Sequence, residues 1–143
     1  MEEILSEKIL IREAAINEDL LRQLIALSRD WAEENSCYGY RENERADIEG
    51  NRIFIAEEGN AVIGYLFGHK EYSEKASSIM PDGTPFFEVE ELYVRPEYRR
   101  QGIGQKLFSF AEAAVSAEAD FIMLSTATKN WKAIFHFFFC SCI

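Results

Sequence analysis

Two short stretches of the chain carry residue types that can do chemistry at the spacing they have. The first is Glu88-Val89-Glu90-Glu91, three carboxylates within four residues. In a strand, period two puts Glu88 and Glu90 on one face and Glu91 on the other, unless a bulge near Leu92 shifts the register. Carboxylates so placed can take a proton from a nucleophile or hold a cation. The second is Arg95-Pro-Glu-Tyr-Arg-Arg-Gln-Gly-Ile-Gly-Gln-Lys106, a glycine-bearing turn that leads into a helix N-terminus. Unpaired backbone N–H groups and the positive end of the helix dipole favour a phosphate there. Arg95, Arg99, Arg100 and Lys106 against Glu97 alone make this segment +3 in a chain of net charge −10. Gly102 and Gly104 let the backbone approach a ligand oxygen where a Cβ would intrude.

The spacing is neither G-x-x-x-x-G-K-[ST] nor G-x-G-x-x-G, so a P-loop and a dinucleotide fingerprint are both excluded. Arg99-Arg100-Gln101-Gly102-Ile103-Gly104 does fit [Q/R]-x-x-G-x-[G/A], preceded by Leu92-Tyr93-Val94-Arg95-Pro96-Glu97-Tyr98 and followed by an amphipathic helix. With that context the stretch resembles the acetyl-CoA signature of the GCN5-related N-acetyltransferase (GNAT) superfamily. The resemblance in element order runs through nearly the whole chain. It implies an α/β (α+β) fold in which helices flank a mixed, mostly antiparallel central sheet, whose two central strands splay apart to admit the pantetheine arm of acetyl-CoA. It also implies that backbone amides of the Arg99–Gly104 segment (Arg99, Arg100, Gln101, Gly102, Ile103 and Gly104) hold the pyrophosphate. Backbone groups of Leu92 and Val94 would pair with pantetheine, and Asn130 would touch the cofactor.

The implied reaction is direct acetyl transfer from acetyl-CoA to a primary amine, without a metal or a covalent enzyme intermediate. An amine must lose a proton before it attacks a thioester, and related enzymes place an acid at the position of Glu88 or Glu90, so these two are the expected catalytic residues. Glu91, with Tyr38 and Tyr40 from a polar loop, is expected to bind the acceptor. The family's usual general acid, a tyrosine seven residues beyond the asparagine, falls on Phe137, which has no proton to give. Water or Tyr93 is left to protonate the thiolate. The tail 135–143 lacks the family's closing strands, so the chain is expected to be one acetyltransferase domain over 1–143, incomplete at its C-terminus. The alternative is a non-catalytic acyl-CoA-binding or sensory module, or a truncated inactive enzyme.

The elements that must position these residues follow from periodicity. Residues 9–13 predict a strand, and Asn17 caps a helix whose apolar positions Leu20, Leu21, Leu24, Ile25, Leu27 and Trp31 recur at helical spacing to about Asn35. Residues 36–50 have no period and predict a loop with one short helical turn. Residues 52–57 and 61–70 predict a hairpin closed at Glu58-Gly59-Asn60. A strand over 86–94 ends before Pro96, a helix runs from near Gly104 to about Glu118, a strand covers 121–126, and Asn130 opens a last helix.

A chain of 143 residues with 48% apolar and 28% charged content suits one globular domain. Twenty-five acids against fifteen bases oppose nucleic acid and anionic membranes as partners. No apolar run reaches the ~20 residues of a membrane span, and the start is too acidic for a secretory leader, so a cytoplasmic location is expected. Cys37, Cys140 and Cys142 make no disulfide framework, and no metal site is expected from them or from His136. His69 and His136 are read as structural or surface residues. Thirteen acids against six bases in the first fifty residues favour a cationic small-molecule acceptor such as a polyamine or an aminoglycoside-like amine. The apolar tail Ile134, Phe135, Phe137, Phe138 and Phe139 predicts self-association into a homodimer.

Overall fold

In the computed structural model, which describes residues 8–37, 39–74 and 81–124, helix α1 (Glu18–Glu33) follows strand β1 (Ile9–Ala14). The Asn17 side chain accepts from the Leu20 N–H at 2.8 Å, which fixes where the helix starts. Leu20, Leu21, Leu24 and Leu27 are buried along one stripe, and that stripe orients the helix. The aperiodic segment after it contains a single helical turn, α2 (Arg45–Ile48), as expected. Strands β2 (Arg52–Glu58) and β3 (Ala61–Tyr72) form the hairpin, with Gly59 at φ 62° in its turn. Strand β4 (Pro85–Val94), a 3₁₀ turn (Pro96–Tyr98), helix α3 (Ile103–Val115) and strand β5 (Phe121–Leu124) complete the described chain. Helix α3 starts one residue earlier than its periodicity suggests, because the left-handed Gly102 already turns the chain into the helix, and it stops three residues sooner, at Val115.

The strands lie in the order β1-β2-β3-β4-β5, antiparallel through β4, with β5 parallel to β4. Helix α3 supplies the crossover that a parallel pair requires. One face of the sheet packs Ile53, Ile55, Tyr65, Phe67 and Tyr93 against α1 and Ile48 of α2. The other packs Phe54, Ala56, Ile63, Leu66, Phe87 and Val89 against Ile103, Leu107, Ala111 and Val115 of α3. This is the mixed, mostly antiparallel sheet with flanking helices that the sequence implied.

Two departures from regular pairing shape the centre of the sheet. Strand β4 pairs with β5 only over Phe86–Val89, so from Glu90 to Val94 it is paired on its β3 side alone among the described residues. The register between β3 and β4 also slips, with Phe67 opposite Glu91 and Gly68 opposite Val89, leaving Glu90 as the extra residue of a bulge. Gly68 permits this close approach, since a Cβ there would collide with the Glu88 carbonyl oxygen.

Candidate active site

The bulge corrects the expected distribution of the acidic run. Strict alternation would send Glu91 to the face opposite Glu88 and Glu90, but one extra residue turns it back. Glu91 reaches Tyr65, while Glu88 and Glu90 face His69, four residues further along the same side of β3. All three carboxylates therefore project towards the α1 side of the sheet.

Glu91 is the most closely held of them. Its Oε1 accepts from the hydroxyls of Tyr40 and Tyr65 and from Asn43 Nδ2, each at 2.9 Å. Burial raises its carboxyl above the ordinary range, and the three donors oppose that shift by favouring the ionised form. The loop that supplies two of the donors is pinned by Ser28, a fully buried hydroxyl that donates to Ile25 O and accepts from the Asn43 N–H at 2.9 Å. Trp31 stacks on Tyr40 with ring centroids 4.3 Å apart and on Tyr93 at 5.3 Å, as a core residue that also backs the site. Tyr38 lies outside the described residues.

Glu88 and Glu90 share His69 with Glu71. The ring Nε2 is 2.8 Å from Glu71 and 3.9 Å from Glu88, and Nδ1 is 3.5 Å from Glu90. Burial, followed by repulsion from Glu88, raises the Glu90 carboxyl above the usual value. The ligand atoms of His69, Glu88 and Glu90 lie within 4.8 Å of one another, a set that could hold a divalent cation. His69 is thus part of an acidic cluster rather than an isolated surface histidine.

The phosphate-type loop has the geometry that its glycines suggested. Gly102 caps α3 at φ 78°, and no atom lies within 4 Å of where its Cβ would be, so the space before the helix is open. The first backbone bond into the helix is donated by Lys106 to Gly102 O, which leaves the preceding N–H groups to point out of the helix end. Arg100 is also left-handed, at φ 65°, an uncommon conformation for a residue with a side chain and one that clusters at ligand sites. Gln101 is exposed, Gly104 lies against Val94, and the Ile103 side chain anchors the helix in the core.

Among the described residues the strand edge beside this loop is also without a partner strand. The Arg95 N–H bonds to Ile63 O on β3, so alternation turns the N–H and C=O of Val94 and Leu92 to the other side, where the described pairing with β5 ends at Val89. The Arg99 side chain, though exposed, is turned to α1 and β4. Its Nε donates to Val94 O at 2.8 Å, and its Nη2 donates to both carboxylate oxygens of Glu34 at 2.8 and 2.9 Å. Tyr93 is no free acid either, since it is 4% exposed, its hydroxyl donates to Glu34 at 2.6 Å, and burial holds its proton more tightly than usual. A groove of about 370 Å³ beside it is lined by Asp30, Glu33, Glu34 and Glu97 as well as Arg95, an excess of acid that disfavours a phosphate there. Asn130, Phe137, His136, Cys140, Cys142 and the apolar tail lie outside the described residues.

With the sheet, the bulge and the glycine turn before α3 described, the comparison with known proteins is decisive. Residues 17–137 match the model of the Acetyltransferase (GNAT) family. The chain belongs to that family. A thialysine N-epsilon-acetyltransferase from Caenorhabditis elegans is 26% identical over 123 residues, covering 82% of this chain and 72% of the relative. An aminoglycoside acetyltransferase from an uncultured soil metagenomic sample, solved with trehalose, superposes with TM-score 0.72 at 18% identity over 96% of this chain and 89% of its own. An aminoglycoside N-acetyltransferase solved with CoA superposes at 0.65, with 16% identity over 92% of this chain and 89% of its own. At these identities the structural matches establish the GNAT fold. Among the described residues no helix is long and apolar enough to cross a membrane. Glu34, Asn43, Tyr65 and the full surroundings of His69 were not found from the sequence. Only Tyr65 carried a signal, a phenol in an otherwise apolar strand that must find a buried partner.

Proposed function

We propose that the chain transfers an acetyl group from acetyl-CoA to a primary amine of a cationic small molecule. The observation that carries this reading is the meeting of a β4 edge that has no partner strand beyond Val89 among the described residues with three carboxylates turned to one face by the bulge. Acetyl-CoA, once bound, supplies a thioester-activated acetyl group. Backbone amides from Arg100 to Gly104 hold its pyrophosphate, an arrangement supported by the open space before α3 and the two left-handed residues. The outward N–H and C=O of Leu92 and the N–H of Val94 remain for pantetheine, whereas Val94 O is occupied by Arg99.

The chain's own residues then act on the acceptor. Glu91, fixed by three donors, and the Tyr40 loop hold its ammonium group. Glu90 takes a proton from the amine at a carboxylate oxygen, which its raised pKa makes more basic than that of a free glutamate. Glu88 and Glu71 keep the local potential negative, which supports a cationic acceptor over an acidic one. The amines named for the relatives, thialysine and aminoglycosides, are of the same cationic kind. Thiol release from acetyl-CoA, followed over a panel of polyamines, amino acids and aminoglycosides, tests the reading. Turnover confined to multiply charged amines is expected. Binding of acetyl-CoA with no thiol release against any amine would overturn it in favour of a non-catalytic acyl-CoA module.

A further inference from the structure

Glu34 sits one residue past the end of α1, where it meets Arg99. Three independent contacts converge on this pair. The Arg99 Nη2 grips both Glu34 oxygens, its Nε takes the Val94 carbonyl, and its guanidinium lies 5.3 Å from the centroid of the Tyr93 ring, whose hydroxyl also donates to Glu34. Every polar direction of the Arg99 fork that these contacts use points towards α1 and β4, away from the α3 end. Planar, forked and aromatic contacts at once are what a guanidinium offers and an ammonium does not.

We propose that Glu34 is a positioning residue for acetyl-CoA: through Arg99 it straps the phosphate loop to α1 and β4, so that the N–H groups of Arg100–Gly104 stand ready for the pyrophosphate. The proposal rests on the reading of that loop as the cofactor site. The same strap joins two halves of the active site. Glu34 also begins the loop whose Tyr40 and Asn43 hold Glu91, and Trp31, one turn before it, stacks on both Tyr40 and Tyr93.

The sign of one substitution separates this role from a direct phosphate contact by Arg99. Glu34→Gln removes a negative charge near an anion site, which by Coulomb's law alone strengthens CoA binding or leaves it unchanged. A strap losing its ionic grip does the reverse, because the loop must be ordered on binding. Calorimetric titration with CoA is expected to give a dissociation constant raised about tenfold in Glu34→Gln, with kcat within about twofold once acetyl-CoA saturates. Glu33→Gln, the neighbouring exposed carboxylate, is expected to bind CoA as the unaltered chain does. Equal or tighter CoA binding by Glu34→Gln overturns the proposal.

Arg99→Met removes the same pair from the other side and serves if Glu34→Gln does not fold. Its CoA affinity is expected to fall while keeping the salt dependence of the unaltered chain. A flatter salt dependence would mean that Arg99 itself contacts phosphate, and would overturn the strap. Failure of the unaltered chain to bind CoA would overturn the loop reading itself, and the strap with it.

Discussion

Replacing Glu91 tests whether the site is built around an acceptor oxygen or around a negative charge. Three donors converge on its Oε1, and two of them have no route to water, since Tyr65 is 0% and Asn43 7% exposed. Glu91→Leu leaves both without a partner, at about 1–3 kcal/mol each, or roughly 2–6 kcal/mol together. At about 3 °C per kcal/mol for a chain of this size, the melting temperature should fall by roughly 6–18 °C. Glu91→Gln keeps an oxygen for all three donors and should melt within about 3 °C of the unaltered protein. The pH dependence adds a sign. Burial raises the Glu91 carboxyl in the folded state, so the native form holds that proton more tightly than the unfolded chain does. Its ionisation therefore costs stability as pH rises through the window between 4.5, the ordinary value, and the raised one, and the stability of Glu91→Gln relative to the unaltered protein should grow across that window. In kinetics, losing a charge-assisted partner for an ammonium should raise the acceptor KM about tenfold, with the acetyl-CoA KM unchanged. Calorimetric melting and steady-state rates on the same three proteins decide it. If Glu91→Gln melts as low as Glu91→Leu, the argument from acceptor oxygens fails. An unchanged acceptor KM would reduce Glu91 to scaffolding.

Glu90→Gln should lower the rate by about 10²–10⁴ with CoA affinity preserved, as loss of a general base does. In Glu88→Gln the acidic limb of the pH–rate profile should move to lower pH, because Glu88 raises the Glu90 carboxyl by repulsion; a limb that stays in place removes Glu90 as the titrating base. Gly102→Val meets no neighbour but forces a β-branched residue to φ 78°, so CoA binding measured by calorimetry should be lost from a protein that still melts cooperatively, and retained affinity would refute the loop assignment. Gly68→Ala drives a methyl into the Glu88 carbonyl and should cost about 1–3 kcal/mol in urea unfolding while lowering the rate more than tenfold; a fully active variant would show that the bulge is not needed.

What could be read from the sequence was what lies close together in it. The loop proposed for the phosphate is one continuous segment in which glycines, charge and helix start are neighbours, and Gly102 and Arg100 are left-handed in it. The faces of α1 and α3 were legible for the same reason, as runs of Leu or Ala at helical spacing. Strict alternation misplaces Glu91, and whether the bulge that the sequence allows is formed is decided on another strand, where Gly68 has no side chain to keep β4 in register. Asn43 and Glu34 were hidden in segments without period, and nothing within a few residues of either marks Glu91 or Arg99 as its partner. The pairing of Arg99 with Glu34 and the Val94 carbonyl could not be seen in a motif that merely permits arginine at its first position.

The bulge also determines what kind of change can make or unmake this site. Exchanging one side chain for another along β4 cannot carry Glu91 across the sheet, because the direction of each side chain is set by counting residues from the last regular pair. Removing Glu90 would restore regular pairing, with Val89 opposite Gly68 and Glu91 opposite Phe67, and would leave Glu91 bound to Tyr65 with one carboxylate fewer beside it on the α1 face. Inserting one residue into an ordinary strand would do the opposite, and here the facing glycine leaves room for it. The arrangement is therefore brittle to insertions and deletions yet forgiving of many exchanges, and a designer transplanting it to another sheet must copy a length and a gap before copying any acid.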